Sequence, residues 1–398
     1  MRIPILFLLV SLTVCLGTDI YVYRAALKRC RSKVPSRIML FSSLALYLLL
    51  VVGLLLPART GESGMLLAKM WMLFSFMTFL AAKVTFVIVD FIGSVPRLFG
   101  GERSHAVSLA AGILAVIVFL AMWWGALINR YSLDVRETEV KIPDLPAAFN
   151  GFRIVQISDL HVGTFGSDPS FVNKLVATVN ELQPDMIVFT GDIVNRYTDE
   201  ILPFVEPLSR LFADHGVYSI LGNHDYGDYY DWDSEQEKQA SLQRLIDIQR
   251  GMGWHLLLNS SRKVGVDGDT IVMVGVENVG DPPFKNYGDL RTAYPDLSDR
   301  NTKILLTHNP AHWDAEVADN DNVNIALTLS GHTHAMQISF LGFSPSAWRY
   351  RHWGGLYRDE YGEHHLYVNI GAGTVGMPMR LGATPEITVI TLRRGINR

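Results

Sequence analysis

Cysteine is almost missing from this chain: of 398 residues only Cys15 and Cys30 are cysteines. Residues 31–398 therefore offer neither disulfides nor thiolate ligands, and any metal held there must use nitrogen and oxygen donors. Positive charge is also short. Lys+Arg number 35 against 39 Asp+Glu, a formal net charge of -4, which leaves no electrostatic footprint for a nucleic acid, and no nucleic-acid partner is expected. The marks of a cleaved leader are absent too. Only Arg2 precedes the first apolar run, no small-x-small site follows it cleanly, and Val14 stands where a lipoprotein signal needs a small residue before Cys15. That run is read as retained, with Cys15 a small apolar residue inside a helix. No internal repeat or low-complexity tract is visible.

What is abundant is apolar sequence, at 49% hydrophobic residues and a mean hydropathy of +0.19. The excess falls in four stretches, 3–23, 38–56, 65–89 and 106–128, each near the roughly 20 residues that cross a bilayer. They predict four transmembrane helices within residues 1–130, making a multi-pass protein of the plasma or inner membrane. Orientation follows from the loops, because basic residues near spans stay cytoplasmic. The first loop has Arg24, Lys28, Arg29, Arg31, Lys33 and Arg37 and no acid, the second has Arg59 against Glu62, and the third has Arg97 and Arg103 against Glu102. The first and third loops are expected inside, and everything after residue 128 outside the cytoplasm. In the third span Lys69, Lys83 and Asp90, fourteen and seven residues apart, share a helical face that could receive a lipid headgroup. Lys69 and Asp90 are expected to snorkel from the span ends, which leaves Lys83 as the unusual residue.

Residues 131–150 read as a linker and incoming strand, with Pro143 and Pro146 discouraging a continued helix. A second domain spans 151–398. The runs 152–158 and 186–190 are short, apolar and β-branched, and end in polar residues. Between them Asp168 is placed to cap a helix with Pro169 at its first position, and Phe171, Leu175, Val179 and Leu182 recur at helical spacing. This is a β-α-β unit. A third strand is predicted at 217–221, and Ser234 with Glu237 forms a capping box before Leu242, Leu245 and Ile246. Later strands are predicted at 270–276, 303–307, 324–329, 365–370 and 386–392, close enough together for partly antiparallel pairing. The expected fold is a layered α/β sandwich of two mixed β-sheets flanked by helices.

The polar residues that carry chemistry cluster where strands end: Asp159 and His161, Asp192, the run Asn223, His224, Asp225, then His308, then His332 and His334. Carboxyl ends of strands are where binding groups converge, so residues far apart in sequence can share one site. Two divalent ions roughly 3.5–4 Å apart make a hydroxide nucleophile for phosphate esters and clamp the phosphoryl oxygens. Carboxylates, imidazoles and one amide oxygen suit Mn, Fe or Zn rather than an all-oxygen calcium cage. Singly each motif is weak. Asp159-x-His161, Gly191-Asp192 or Gly222-Asn223 alone is more often a turn, whereas Gly331-His332-Thr333-His334 puts alternating imidazoles on one face of an extended segment. Five of the twelve histidines fall within these elements, which turns do not explain.

The ordered set resembles the calcineurin-like metallophosphoesterase superfamily, whose pattern is D-x-H, G-D, G-N-H-D/E, a lone H and G-H-x-H. Every element stands here in order and without substitution, from about residue 152 to the C-terminus. A nearer likeness is to bacterial membrane-associated members, through Gly354-Gly355-Leu356-Tyr357, Leu366-Tyr367-Val368 and Pro385-Glu386-Ile387. The resemblance implies that Asp159, His161 and His334 bind one ion, Asp192 bridges, and Asn223, His308 and His332 bind the other. It gives His224 the role of an acid that protonates the leaving oxygen or steadies the transition state, with Asp225 orienting it. It implies in-line attack by metal-bound hydroxide on a phosphomonoester, phosphodiester or pyrophosphate, small-molecule or lipid-linked. The competing reading is a non-catalytic metal-dependent sensor or scaffold that binds a phosphorylated ligand; the intact His224-Asp225 pair speaks against it. Arg380 is expected to contact phosphate bidentately. His312 and Asp314 are expected on a solvated helix start and His364 and His365 on the surface, while Tyr226, Tyr229, Tyr230 and Trp232 line a groove or pack a loop.

Overall fold

The computed structural model describes residues 5–28, 32–57, 59–61, 63–280, 285–320 and 322–395. Arg2, Arg29, Cys30, Arg31 and Glu62, which bear on the leader and loop charges above, lie outside the described residues. The chain divides into two compact units, Met1–Ile128 with Gly376–Leu381, and Asn129–Val375 with Gly382–Arg398.

The first unit is built on four helices, α1 (Ile5–Val22), α2 (Val34–Leu55), α3 (Ser63–Ser94) and α4 (His105–Leu127). All four are long and apolar enough to cross a membrane. Proline in the first turn of α2 and the Ser104 hydroxyl capping α4 set two of the starts. Leucines, isoleucines and phenylalanines stay exposed along all four, the pattern of helices whose solvent is lipid. Inside, the polar face of α3 ties the helices together. Lys83 donates to Asp19 Oδ1 at 2.5 Å and to Ser43 Oγ at 3.1 Å, and Tyr47 donates to Asp19 Oδ2 at 2.6 Å. Asp90 does not snorkel: it is fully buried, accepting from Tyr21 at 2.8 Å and pairing with Arg103. Lys69 reaches the Leu56 carbonyl at 3.0 Å.

The second unit is a sandwich of two six-stranded sheets. The first sheet runs β1 (Asp134–Ile142), β12 (Glu386–Arg394), β2 (Arg153–Ile157), β3 (Met186–Phe189), β4 (Val217–Ser219), β5 (His255–Leu256). Only the β12–β2 pairing is antiparallel. The second sheet runs β10 (Gly355–Arg358), β11 (His365–Val368), β9 (Leu327–Ser330), β8 (Lys303–Leu306), β7 (Asp269–Gly275), β6 (Ser260–Val266). It is parallel through its centre and antiparallel at both edges. Ile154, Met186, Val188, Met273, Ile304, Leu306, Leu327 and Ile390 fill the space between the sheets. Val155, Ile157, Ile187 and Phe189 face outward onto α5 (Ser170–Glu181), α6 (Val205–Leu208) and α7 (Glu235–Gly251). Val272, Val274, Leu305 and Leu366 do the same onto α8 (Leu290–Ala293) and α9 (Ala311–Glu316). Central strands buried on both faces read as continuous apolar runs.

Two details depart from the sequence reading. Pro169 precedes α5 rather than opening it, and Asp168 Oδ1 accepts from Ser170 N at 2.9 Å. As the capping box predicts, Ser234 Oγ caps α7 by accepting from Glu237 N at 3.2 Å. The edge strands β6 and β10, mostly polar or half-exposed, lack the apolar run by which a strand is recognised.

Candidate metal centre

Nine of the expected residues arrive on loops that leave β2, β3, β4, β8 and β9. Asp159, His161, Asp192, His332 and His334 have φ of 52°, 46°, 60°, 73° and 51°, a left-handed backbone that costs a residue with a side chain about 1 kcal/mol or more. The strain is held in place by the loops binding one another. Asp159 N donates to Gly191 O at 2.9 Å, His161 N to Asp192 O at 3.1 Å and Gly331 N to His308 O at 3.0 Å. The glycines in these motifs answer to space. A Cβ on Gly222 would lie 2.2 Å from Asp192 Oδ1, and one on Gly331 would lie 2.3 Å from Asp159 Oδ2.

The donor atoms gather into three overlapping groups, Asp159–His161–His334, His161–Asp192–His224 and Asp192–His308–His332, each spanning no more than 4.8 Å. Asp192 belongs to two of them. His334 Nε2 lies 3.2 Å from Asp159 Oδ1, His308 Nε2 lies 3.1 Å from Asp192 Oδ2, and His161 Nε2 and His334 Nε2 are 3.0 Å apart. Backbone groups orient this set. His308 Nδ1 meets the Thr190 carbonyl at 2.7 Å, turning Nε2 inward. The His332 N–H donates to both oxygens of Asp159, at 3.0 and 3.1 Å, and the His224 N–H to Asp192 Oδ1 at 2.8 Å.

Two observations show that these residues fit divalent cations. Asn223 Oδ1 is buried and has no hydrogen-bond partner, although its amide nitrogen donates to Tyr229 at 2.9 Å; a buried carbonyl oxygen of that kind calls for a donor or a cation. The charges agree. Burial alone would raise both carboxyls, yet His334 and His308 hold Asp159 well below the usual carboxylate range, and His308 and His224 do the same for Asp192. Burial opposes protonation of His308, but Asp192 and Asp159 lift it to about 10. Burial and His308 push His332 down to about 3, and burial and His224 lower His161. Two buried carboxylates thus draw positive charge to one point, here the His308 ring, while burial and neighbouring positive charge keep His332 and His161 neutral, as metal ligation requires.

One expected role is corrected. Asp225 does not orient the His224 ring. Its carboxylate accepts four backbone N–H bonds, from Asp192 at 2.8 Å, Ile193 at 2.9 Å, Val194 at 3.2 Å and Gly222 at 2.9 Å, so it locks the loop that carries Asp192 to the one that carries Asn223. Burial and Asp192 raise its carboxyl to about 7. The ring of His224 is instead held by the Asn195 carbonyl, 2.6 Å from Nδ1, and by Tyr229 stacked at 4.1 Å. Buried Glu200 anchors that turn, accepting from Asn195 N at 2.7 Å and Arg196 N at 3.0 Å. Neither Asn195 nor Glu200 carries a sequence signal, because the useful groups are a main-chain carbonyl and an acid in an unremarkable stretch.

The remaining candidates separate cleanly. A groove of about 140 Å³ is lined by Asn223, Tyr229, Asn309, His332, Arg349 and Tyr350 among others, and Tyr350 Oη lies 2.8 Å from His332 Nε2. Tyr229 therefore faces the groove, whereas Tyr226 is buried against Tyr287 at 4.0 Å and Tyr230 packs on Trp232 and Tyr197. His312 is buried, not solvated, beside Thr307 Oγ1 at 3.0 Å, and Asp314 pairs with His352 at 3.1 Å. His364 and His365 are likewise buried, against the carbonyls of Ile325 at 2.8 Å and Ala326 at 3.3 Å. Arg380 is fully buried and belongs with the helical unit, its backbone N–H donating to the Gly125 carbonyl at 3.1 Å.

The chain is similar to known proteins. Residues 152–336 match the family described as calcineurin-like phosphoesterase, and residues 1–130 match one described as "Probable Calcineurin-like phosphoesterase, transmembrane domain". The chain is 31% identical over 315 residues to a transmembrane protein with metallophosphoesterase domain from Danio rerio, covering 75% of this chain and 67% of that protein. It is 32% identical over 277 residues to the uncharacterized metallophosphoesterase YkuE of Bacillus subtilis (strain 168), covering 67% of this chain and 87% of the relative. Among solved structures, a dimetal phosphatase from Danio rerio aligns with a TM-score of 0.34 and 13% identity, over 56% of this chain and 88% of that one.

Proposed function

The chain belongs to the calcineurin-like phosphoesterase family, and from that premise we propose that it is a membrane-tethered hydrolase that cleaves a phosphomonoester, phosphodiester or pyrophosphate with two divalent ions. The carrying observation is that Asp192 stands in two of the three donor groups, where one carboxylate can bridge two cations. In this reading Asp159, His161 and His334 would hold one ion, and Asn223, His308 and His332 the other. When bound, the pair would supply a hydroxide nucleophile at neutral pH and neutralise phosphoryl oxygens, and the donor set suits Mn, Fe or Zn.

The rest is done by this chain's own groups. With Nδ1 committed to the Asn195 carbonyl, a proton on His224 Nε2 is directed at the donor cluster and available to an ester oxygen that leaves badly as an anion. Tyr229, stacked on that ring, restricts its rotation. Arg349 and Tyr350 on the groove wall are placed to contact the group that phosphate carries. Loop charges put this unit outside the cytoplasm, where its substrate is a phosphorylated small molecule or a lipid-linked one.

The test is metal content of the full chain in detergent, together with hydrolysis of chromogenic phosphomonoester, phosphodiester and pyrophosphate substrates after adding Mn, Fe or Zn. About two ions per chain, with turnover abolished in Asp192→Asn, is the expected result. Two ions with no turnover of any substrate class would replace the hydrolase by a phosphoryl-binding sensor.

A further inference from the structure

Apolar surface on the second unit concentrates in the loop after the last pair of metal-centre histidines. Met336, Phe340, Leu341, Phe343 and Trp348 expose 45%, 74%, 90%, 51% and 81% of their surface. Phe340 and Phe343 exchange backbone hydrogen bonds of 2.8 and 3.0 Å, so Leu341 and Gly342 form a two-residue turn with φ of 49° and 79°. Hairpin turns of that kind favour Asn, Asp or Gly at the first position. A leucine here costs backbone strain and gains nothing from water.

We propose that this hairpin contacts the lipid bilayer and holds the rim of the metal-centre groove at the membrane surface. The occupant follows from the rest of the chain. Four helices long and apolar enough to cross a membrane keep a bilayer at high effective concentration. Protruding aromatic and aliphatic side chains with a tryptophan suit the interface between headgroups and acyl chains, and exposed Arg349 and Arg351 follow directly to meet lipid phosphates. A protein partner would be met by a broad patch of roughly 800 Å² per side rather than a single two-residue tip.

The hairpin is also firmly joined to the site. Ser344 Oγ donates to the Ala335 carbonyl at 2.6 Å, Ser346 Oγ to the Thr333 carbonyl at 3.3 Å, and Ile338 bridges Gly382. One end of the segment thus continues from His332 and His334, and the other enters Arg349 and Tyr350 of the groove. That the contact presents a lipid-borne phosphate to the groove rests on the phosphoesterase reading; the contact itself does not.

The test uses the full chain carrying Cys15→Ala, Cys30→Ala and Leu341→Cys, labelled with an environment-sensitive dye and placed in phosphatidylcholine–phosphatidylglycerol vesicles that contain acyl-chain-brominated lipid. A matching label at exposed Glu235→Cys is the reference. Blue-shifted emission at 341, quenched at least about twofold more than at 235, is expected. Equal quenching at the two positions overturns the proposal, as does a blue shift without lipid quenching, which would mean contact with protein. This readout does not depend on turnover, so an inactive chain still tests the contact. In an active chain, Phe340→Ser with Leu341→Ser should lower hydrolysis of a vesicle-borne phosphate ester about tenfold and leave a water-soluble ester unchanged. An equal loss on both substrates would make the hairpin a structural support only.

Discussion

His224 and Asp225 stand side by side in sequence and act on different parts of the molecule. The His224 ring faces the donor cluster, while its backbone N–H secures Asp192. His224→Ala removes only the ring, so metal content should be unchanged while kcat falls about 10²- to 10⁴-fold. The loss should be smaller for nitrophenyl esters, whose leaving group needs no proton, than for alkyl esters. Steady-state kinetics on both, with metal analysis alongside, checks this; equal losses on the two esters would remove the acid role. Asp225→Ala leaves four backbone donors of two loops unpaired. Each buried orphan costs about 1–3 kcal/mol, so the variant should lose both metal and thermal stability, seen as a lower Tm and a substoichiometric ion count. A variant with wild-type Tm and metal but low kcat would return Asp225 to the role first given to it, orienting His224.

At the scale of elements, the site depends on loops approaching closer than side chains permit. Gly222→Ala would drive a methyl into Asp192 Oδ1, and the repacking should cost about 1–3 kcal/mol and weaken metal binding, measurable by thermal unfolding with and without added Mn. A second element-level device lies at the start of β8. Lys303 is fully buried, donating to the carbonyls of Asp299 at 2.9 Å and Asn301 at 3.1 Å and pairing with Asp299 Oδ1 at 2.6 Å. Burial opposes ionisation of Asp299, but Lys303, Tyr294 and Asn301 hold its carboxyl at about 2 against an ordinary 3.8. A folded-state value below the unfolded one means stability present above the unfolded value and lost as pH falls through about 2. Acid unfolding should therefore show wild type ahead of Asp299→Asn at pH above about 4, with the gap closing towards pH 2; a gap constant with pH would refute this. Strand ends and their polar residues were legible because β2, β3, β8 and β9 are buried on both faces and stop abruptly at Asp or His. Less was legible wherever the partner is backbone. The burial of His364 and His365 depends on the carbonyls of Ile325 and Ala326, and the orientation of His224 on that of Asn195, none of which has a residue-type signature. The edge strands β6 and β10 escaped notice because a half-solvated strand needs no apolar run.

For the whole molecule, the proposed sidedness rests on loop charges. The helix charges Asp19 and Lys83 pair with each other, and Asp90 pairs with Arg103 of the third loop, so the orientation reading falls mainly to the first loop. The first loop, with Arg24, Lys28, Arg29, Arg31, Lys33 and Arg37 and no acid, outweighs the others. Alkaline phosphatase fused after Arg398 should be active in a bacterial host, and a fluorescent protein inserted in the first loop should fluoresce, because each works on only one side of the membrane. Neutralising Arg24, Lys28, Lys33 and Arg37 together should weaken both signals by scrambling orientation, whereas Lys83→Met should leave sidedness intact and lower the stability of the bundle by stranding Asp19. An inactive phosphatase fusion on the wild-type chain would put the metal centre in the cytoplasm. The hydrolase reading and the bilayer-contacting hairpin would both survive that outcome, since neither depends on which leaflet is met; what would change is the substrate pool, from lipids and phosphate esters outside the cell to those of the inner leaflet and cytosol.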